Sequence, residues 1–267
     1  MRADTALVRQ QLCESRERAQ AAIMEGRVFL GDRRINKPSE TISNGDILTL
    51  KTPDYEYVSR GALKIEKAIR VFHADLAGKT VMDIGSSTGG FTDVCLRNGA
   101  AHVYSIDVGY GQLDWKLRND PRVIVMERTN ARYLKPDMFE FRPTVTVMDV
   151  SFISIRLILP VAAAIMGDGG VFYTLIKPQF EAGRERVGKN GIIRDPETHT
   201  DVLNSIAHFT EEMGWLTVAM DYSPITGQKG NIEFLAEIRK NNGIRKGITD
   251  SQIAALVTES HKKTERL

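Results

Sequence analysis

One short stretch decides the fold of this chain: Val81-Met82-Asp83-Ile84-Gly85-Ser86-Ser87-Thr88-Gly89-Gly90-Phe91. The apolar residues from Thr80 to Ile84 predict a buried parallel strand, and the residues after the glycines are compatible with a helix. Glycines at such a turn permit positive φ angles and let a ligand approach the backbone closely. The first turn of the following helix leaves backbone N–H groups free to bind an anion or a polar cofactor.

A second apolar strand, His102–Ile106, ends at the carboxylate of Asp107. An acidic residue at a strand tip, about 20 residues past a glycine-rich turn, is the type that binds the ribose hydroxyls of a nucleoside cofactor. The glycine spacing does not match the dinucleotide pattern, because Ser86-Ser87-Thr88 separate Gly85 from the next glycine. These residues therefore favour S-adenosylmethionine over a nicotinamide dinucleotide. For the turn alone, a helix-capping glycine pair without a ligand remains the alternative.

The bulk composition limits the class of protein. The chain has 267 residues, 42% of them hydrophobic, and a net charge of +2, which suits one large domain plus a small one. Its two cysteines and five histidines lack the spacing of metal ligands, so no metal is expected. Charged residues interrupt the N-terminal stretch, and the longest mostly apolar run, 157–166, is too short to cross a bilayer. We expect a cytoplasmic protein outside the membrane, with a monomer as its expected state.

Apolar runs and helical segments alternate along the rest of the chain. Near-continuous apolar strands that alternate with helices predict a parallel sheet covered on both faces. The predicted fold class is therefore α/β, with a doubly wound, mostly parallel, seven-stranded Rossmann-like sheet. The predicted strands are 80–84, 102–106, 123–126, 144–148, 171–176, 216–220 and 234–238, and the helices lie near 60–72, 89–98, 111–118, 154–166 and 197–213.

Ligands of such sheets bind beyond the carboxyl ends of the strands. Polar residues follow the predicted strands at that edge, among them Asp107, Asp149 and Lys177. Arg128 and Asn130 lie where they could bind an adenine edge or shape its pocket, although each polar residue could instead cap a strand end. The predicted cofactor-binding residues are Asp83, Gly85, Ser86, Ser87, Thr88, Gly89, Gly90, Phe91, Asp107, Arg128, Asn130 and Asp149.

Residues 1–52 predict a small α+β domain. Ser15 is suited to cap a helix over 16–25, and Gly26 is suited to end it. This pattern resembles the S4 RNA-binding domain, through Ser15-Arg16-Glu17-Arg18-Ala19, Ile23-Met24-Glu25-Gly26-Arg27-Val28, Gly31, Lys37-Pro38-Ser39 and Gly45-Asp46. The resemblance implies contacts with the phosphates and shape of structured RNA. Composition by itself favours a solvated helix face, because nearby acids offset much of the basic charge.

A second basic segment lies between Lys177 and Glu197. Its glycines at 183, 188 and 191 are interspersed with basic residues, which predicts a mobile loop able to close over an RNA backbone. A surface insertion is the equal alternative. Across the chain, the predicted RNA-binding residues are Arg16, Arg18, Arg27, Lys37, Arg60, Arg184, Arg186 and Lys189.

Motifs along the larger part of the chain are similar to the TlyA (haemolysin A) family. They are Val58-Ser59-Arg60-Gly61-Ala62-Leu63-Lys64, Gly85-Ser86-Ser87-Thr88-Gly89-Gly90-Phe91, Asp107-Val108-Gly109-Tyr110-Gly111-Gln112-Leu113, Met148-Asp149-Val150-Ser151-Phe152-Ile153-Ser154, Ile176-Lys177-Pro178-Gln179-Phe180-Glu181 and Gly230-Asn231-Ile232-Glu233-Phe234. Members resemble FtsJ-type ribose 2′-O-methyltransferases fused to an S4 domain. The resemblance implies S-adenosylmethionine as cofactor, a cytidine of ribosomal RNA or ribosomal subunits as substrate, and a catalytic tetrad at Lys64, Asp149, Lys177 and Glu233.

The expected organisation follows from these two resemblances. An S4-like domain covers 1–52, and a linker covers 53–59, where Pro53 lies among polar and aromatic residues. An FtsJ-like methyltransferase domain covers 60–240, where we expect Ser59 to cap the first helix. A C-terminal tail with a helix covers 241–267.

The chemistry can also be argued from the residue types. A ribose 2′-hydroxyl is a poor nucleophile and must lose its proton as the new bond forms, and a lysine made neutral by burial near other cations could accept that proton. We assign this role to Lys177, with Asp149 and Glu233 orienting the lysines and Lys64 positioning the hydroxyl and stabilising negative charge. General-base assistance is worth about 10²–10⁴ in rate, and alignment as much or more, so positioning is expected to be the larger contribution.

Two other functions are compatible with parts of the sequence. A non-catalytic RNA-binding or ribosome-assembly factor would keep a vestigial cofactor pocket, but the intact tetrad positions disfavour it. A membrane-active haemolysin would need a longer apolar or a strongly cationic amphipathic segment, and we find none.

Overall fold

The structure, a computed structural model, describes residues 1–52, 56–167, 169–227, 230–243 and 246–264. The chain divides into two compact units, Met1–Glu56 and Tyr57–Leu267. The division falls inside the expected linker 53–59, and Tyr57 and Val58 pack against the core of the second unit. The exact domain limits stay a prediction.

The first unit is a helix pair beside a small antiparallel sheet, as predicted. Ser15 caps the second helix, because its side chain accepts a hydrogen bond from the Arg18 backbone N–H at 3.2 Å. Leu7, Ile23 and Val28 are buried in the centre of this unit. The elements are α1 (Ala3–Arg9), α2 (Arg16–Met24), β1 (Val28–Leu30), β2 (Arg33–Arg34) and β3 (Leu48–Leu50), and the strand order is β2-β1-β3.

The second unit contains the predicted seven-stranded sheet. The strands are β4 (Thr80–Ile84), β5 (His102–Ile106), β6 (Val123–Met126), β7 (Val145–Met148), β8 (Val171–Ile176), β9 (Trp215–Tyr222) and β10 (Phe234–Lys240). Their order is β6-β5-β4-β7-β8-β10-β9, in which β4 to β8 pair in parallel and β10 is antiparallel to β8 and β9. The predicted α/β class with a mostly parallel sheet is therefore confirmed.

Helices cover both faces of this sheet, because the buried strands are apolar on both sides. One core contains apolar residues of α3, α4 and α5, and the other contains those of α6, α8 and α9. The bounds are α3 (Ala62–Val71), α4 (Gly90–Arg97), α5 (Trp115–Arg118), α6 (Leu159–Met166), α7 (Pro178–Glu181), α8 (Pro196–Glu212) and α9 (Asp250–Thr264).

One local prediction in this unit was wrong. We expected Ser59 to cap a helix that starts at residue 60, but α3 begins at Ala62 and its N-cap is Gly61. Ser59 Oγ instead lies against Gly90, where an added Cβ would come within 2.4 Å of it. The Ser59 hydroxyl therefore packs against the glycine-rich turn instead of capping α3.

Candidate active site

The glycine-rich turn between β4 and α4 is pressed against its neighbours. Gly85 has a φ of +85°, and a Cβ there would lie 2.5 Å from the backbone oxygen of Asp149. Gly89 has a φ of +96°, and a Cβ there would lie 2.3 Å from a methyl carbon of Leu117. Both positions therefore require glycine, for its backbone angles and for space. The turn is held close to the end of β7 on one side and to α5 on the other.

Asp107, at the tip of β5, binds backbone rather than side chains. Its two carboxylate oxygens accept hydrogen bonds from the N–H groups of Ser87, at 2.8 Å, and Gly109, at 2.7 Å. The carboxylate thus fixes the glycine-rich turn and its own loop in one arrangement. Asp107 lies at the expected edge of the sheet, and its contact with a ribose stays a prediction.

Asp83 lies beneath the turn and is completely buried. Its Oδ2 accepts a hydrogen bond from Thr92 Oγ1 at 2.6 Å, and Thr92 Oγ1 in turn lies 2.8 Å from Ser105 Oγ. Its Oδ1 is buried without a hydrogen-bond partner. Burial, opposed by the bonds from Thr92 and reinforced by the nearby carboxylate of Asp149, raises the pKa of Asp83 to about 7.

The four predicted catalytic side chains meet at the carboxyl edge of the sheet. Asp149 follows β7 and Lys177 follows β8, while Glu233 precedes β10, whose first residue pairs with the last residue of β8. Lys64 reaches the same edge from α3. Lys64 Nζ lies 2.7 Å from Glu233 Oε2 and 3.0 Å from Asp149 Oδ2, and Lys177 Nζ lies 2.6 Å from Asp149 Oδ1. The four residues lie far apart in the sequence, and the topology of the sheet brings them together.

The charges of this cluster stabilise one another against burial. Lys64 and Lys177 are each 8% exposed and Glu233 is 3% exposed. Burial opposes the charge of Lys64, but the carboxylates of Asp149 and Glu233 outweigh it and raise the pKa of Lys64. Burial likewise opposes the charge of Asp149, yet the two ammonium groups outweigh it and lower the pKa of that carboxyl. The cluster is a buried alternation of cation and anion.

The surroundings of Lys177 differ from those that the sequence suggested. Its ammonium contacts the carboxylate of Asp149 and donates a hydrogen bond to Ser151 Oγ at 2.8 Å. Its direct partners are thus an anion and a hydroxyl, and not the cations that we expected beside it. Lys64 lies on the far side of the shared carboxylate and competes for it. Ser151 was missed by the sequence analysis, although it lies inside the quoted motif.

The remaining predicted cofactor residues occupy different surroundings. The Phe91 side chain packs in the core, so only its backbone can face the turn. The Arg128 guanidinium stacks over the ring of Tyr110 at 4.1 Å, and the Asn130 side chain caps the short 3₁₀ helix after β6 by accepting from the Arg132 N–H. The turn residues Ser86, Ser87, Thr88 and Gly90 lie together between β4 and α4. Their contacts with a cofactor stay predictions.

The structure shows ion pairs for four of the eight predicted RNA-binding side chains. Arg16 contacts the buried carboxylate of Asp4, and the other pairs are Arg18 with Glu14, Arg27 with Glu25 and Arg186 with Asp201. Arg16, Arg18 and Arg186 nonetheless expose about half of their side chains, at 52%, 53% and 47%. Lys37 and Arg184 are exposed and Arg60 is half-buried, while the Lys189 side chain lies outside the described part of the structure. Their role toward RNA stays a prediction.

Two further features of the site were not predicted. Phe152 is 90% exposed, has a φ of +64° and lies 5.2 Å from the ring of Phe180. A large side chain at positive φ is strained, which points to a functional constraint at this loop. Gly227 lies against Glu233, where a Cβ would come within 2.2 Å of Oε1. Neither feature has a signal in local sequence, because both depend on distant segments that meet.

Comparison with known proteins agrees with this arrangement. The FtsJ-like methyltransferase family matches residues 57–240, and the S4 domain family matches residues 1–48. The Bacillus subtilis protein named "Putative rRNA methyltransferase YqxC" is 48% identical over 264 residues, which are 98% of this chain and 94% of that protein. The Mycobacterium tuberculosis (strain H37Rv) protein named 16S/23S rRNA (cytidine-2′-O)-methyltransferase TlyA is 42% identical over 239 residues, 89% of each chain.

One solved structure matches the whole chain. The structure titled "Putative hemolysin from Streptococcus thermophilus" matches with a TM-score of 0.80 and 45% identity, and the match covers 100% of this chain and 97% of that one. Both the sequence relatives and the solved structure therefore span an S4 unit and a sheet unit together. This chain belongs to the TlyA (haemolysin A) family, in which an S4 domain is joined to an FtsJ-like methyltransferase domain.

Proposed function

We propose that this chain transfers a methyl group from S-adenosylmethionine to the ribose 2′-hydroxyl of a cytidine in ribosomal RNA. The observation that carries the proposal is the continuous contact from Glu233 through Lys64 and Asp149 to Lys177. It lies at the edge where open α/β sheets bind their ligands, beside the glycine-rich turn. The names of the relatives, which are rRNA methyltransferases, supply the substrate class.

The turn suits the cofactor that we propose. Glycine at position 85 lets the turn lie directly against the Asp149 backbone, where a Cβ would clash, and the fully buried Asp83 has an oxygen without a partner beneath the turn. Asp107 lies at the neighbouring strand tip, where a carboxylate binds ribose hydroxyls. S-adenosylmethionine bound there would supply an electrophilic methyl group. We propose that Asp83, Asp107 and the turn from Gly85 to Gly90 hold it.

The tetrad has to position the hydroxyl and remove its proton. We assign to the amine of Lys177 the role of accepting the 2′-hydroxyl proton; the oxygen would bond to the methyl carbon as the carbon–sulfur bond of the sulfonium breaks and a neutral thioether leaves. Lys64 and Lys177 contact different oxygens of the Asp149 carboxylate, which holds the two amine groups on either side of one anion. Lys64 stabilises negative charge that develops on the oxygen, and Glu233 holds Lys64 in place at 2.7 Å. These roles are our assignment.

We further propose that the first unit binds structured RNA for the second. Half-exposed arginines on α2 can exchange their carboxylate partners for phosphates, which a guanidinium also binds in a bidentate manner. Such contacts recognise the RNA backbone and shape rather than base edges. The proposed partner is therefore ribosomal RNA or a ribosomal subunit.

The alternative functions make different predictions. A ribosome-assembly factor without catalysis would bind RNA but transfer no methyl group. A membrane-active protein would release the contents of lipid vesicles at low concentration; among the described residues, no helix combines the length and apolar character needed to span a bilayer. Neither alternative explains why two lysines and two carboxylates are buried together.

A methyl-transfer assay on ribosomal RNA tests the proposal. The wild-type chain should incorporate tritiated methyl from S-adenosylmethionine into RNA at ribose 2′-oxygens, and Lys177→Ala should lower the rate by about 10²–10⁴. Cofactor binding, measured by calorimetry, should survive the substitution. Lys116→Ala, which removes an exposed lysine of α5, serves as the control and should keep full activity.

The possible outcomes separate the alternatives. Wild-type protein that binds ribosomal RNA without any methyl incorporation would refute the enzymatic proposal and favour the assembly factor. Simultaneous loss of transfer and of cofactor binding in Lys177→Ala would show that this lysine is structural. Methylation at a base atom instead of a ribose oxygen would overturn the assigned substrate.

A further inference from the structure

Two loops at the edge of the sheet carry half of the tetrad. The loop after β7 contains Asp149, Ser151 and the exposed Phe152, and the segment after β8 contains Lys177 and α7. Near the tetrad these loops are joined by the contacts of Lys177 with Asp149 and Ser151. The ring of Phe152 also lies 5.2 Å from that of Phe180, and none of these contacts involves the far end of the first loop at Ser154 and Ile155.

Glu181 joins the two loops at their far ends. It is the last residue of α7, and its side chain is only 2% exposed. Its Oε2 accepts a hydrogen bond from Ser154 Oγ at 2.6 Å, and its Oε1 accepts one from the Ile155 N–H at 2.8 Å. Arg156 Nε lies 3.8 Å from Glu181 Oε2. One carboxylate thus binds both a side chain and the backbone of the opposite loop.

This carboxylate is buried at a cost that local structure does not explain. Burial, opposed by the bonds from Ser154 and Ile155, raises the pKa of Glu181. The N–H groups at the start of the 3₁₀ helix Ile155–Leu157 could be satisfied by water or by Ser154, whose Oγ already accepts a hydrogen bond from the Arg156 N–H. The N–H groups therefore do not need the buried carboxylate of Glu181, which indicates that this carboxylate serves to fix the distance between the two loops.

We infer that Glu181 is a positioning residue that holds the loop of Asp149, Ser151 and Phe152 at a fixed distance from Lys177. The inference rests on the proposed methyl transfer and goes beyond it, because Glu181 touches none of the tetrad side chains in the described contacts. It acts through the backbone of residues 150–155. A displacement of about 1 Å at reacting groups can lower a rate by about a hundredfold.

Kinetics of three variants test the inference. Glu181→Ala should lower kcat by about 10- to 100-fold, while the KM for RNA and the Kd for S-adenosylmethionine change by less than about threefold. Glu181→Gln keeps an acceptor for the Ile155 N–H and should restore kcat to within about threefold of wild type. Ser154→Ala combined with Glu181→Ala should add little to the single alanine variant, because both changes remove one connection.

Glu237 provides the matched control. It is another buried carboxylate of the same unit, 9% exposed in its side chain and paired with Arg239, but it lies within β10 away from the sheet edge. Glu237→Ala should lower stability without the selective loss of kcat. Hydrogen exchange gives a readout that needs no activity: the backbone of 150–155 should exchange faster in Glu181→Ala and not in Glu237→Ala.

Each outcome decides a different question. If the wild-type chain transfers no methyl group, the proposed function fails, and exchange still shows whether Glu181 holds the loop. If Glu181→Ala leaves exchange of 150–155 unchanged, or loosens it while kcat stays within threefold of the Glu237→Ala control, the inference is overturned. Loss of activity that glutamine does not restore, together with loss of cofactor binding, would also overturn it.

Discussion

Replacing Asp83 by asparagine should stabilise the sheet unit, and more so at high pH. The carboxyl is fully buried beneath the glycine-rich turn, with one oxygen bound to Thr92 and the other without a partner. Asparagine has nearly the same shape, can keep the acceptor toward Thr92 and carries no charge to desolvate. The difference between the two proteins therefore reports the free energy of ionising this buried group.

The sign and size follow from the two pKa values. Burial raises the pKa of Asp83 from 3.8 to about 7, so the folded protein holds the proton more tightly than the unfolded chain does. The stability that this proton contributes is complete below about pH 4 and is lost as the pH rises through about 7. Between about pH 5 and about pH 8.5 the advantage of the asparagine variant should grow by roughly 3 kcal/mol.

Urea unfolding followed by tryptophan fluorescence measures this difference. The chain has two tryptophans, Trp115 and Trp215, and both lie in the unit Tyr57–Leu267, so the signal follows that unit. Asp137→Asn, at an exposed position, corrects for the effect of the substitution itself. An advantage of Asp83→Asn that stays constant within about 0.5 kcal/mol over this pH range, or shrinks, would refute the reasoning.

Two further predictions concern the turn and the tetrad. Gly85→Ala should destabilise the sheet unit at least twice as much as Gly78→Ala, since both glycines have positive φ but only Gly85 lies against backbone; the left-handed conformation by itself costs about 1–2 kcal/mol. Lys64→Met should cost about 3–5 kcal/mol in the free energy of unfolding, because it leaves buried carboxylates without their cation, and adding Glu233→Gln should recover part of the loss.

The controls for these two predictions are internal. Chemical denaturation of Gly85→Ala and Gly78→Ala should be accompanied by cofactor titration, because only the first should weaken binding. Equal losses in both variants would contradict the close packing of the turn. If the double variant at Lys64 and Glu233 is no more stable than Lys64→Met, the ion pair does not have the energetic role assigned to it.

Much of the site could be located from sequence, but not its contacts. The motif resemblance gave the four tetrad positions, and the strand pattern placed Asp149 and Lys177 at one edge. The sequence could not show that both lysines contact Asp149, or that Lys177 also contacts Ser151. We expected cations beside Lys177, but packing between distant segments decides which side chains lie there, and they are Asp149 and Ser151.

The helix starts show the same limit at a smaller scale. Ser15 caps α2 as its local sequence predicts, since its side chain accepts a hydrogen bond from the Arg18 backbone N–H. Ser59 has the same residue type before a helix, yet its Oγ packs against Gly90 and α3 begins later. Capping propensity is a local preference of about 1 kcal/mol, which tertiary contacts can outweigh.

The sequence by itself determined the class of fold, the S4-like first unit, the positions of the strands and the family. It could do so because apolar periodicity and glycine-dependent turns act over neighbouring residues. Only the tertiary structure decided which charges meet, with Lys64 of α3 and Glu233 before β10 joining Asp149, and which residue, Glu181, connects the loops around them. The physical reason is that ion pairing and burial depend on distances between segments far apart in the chain, and the antiparallel return of β10 brings its first residues back to the carboxyl edge.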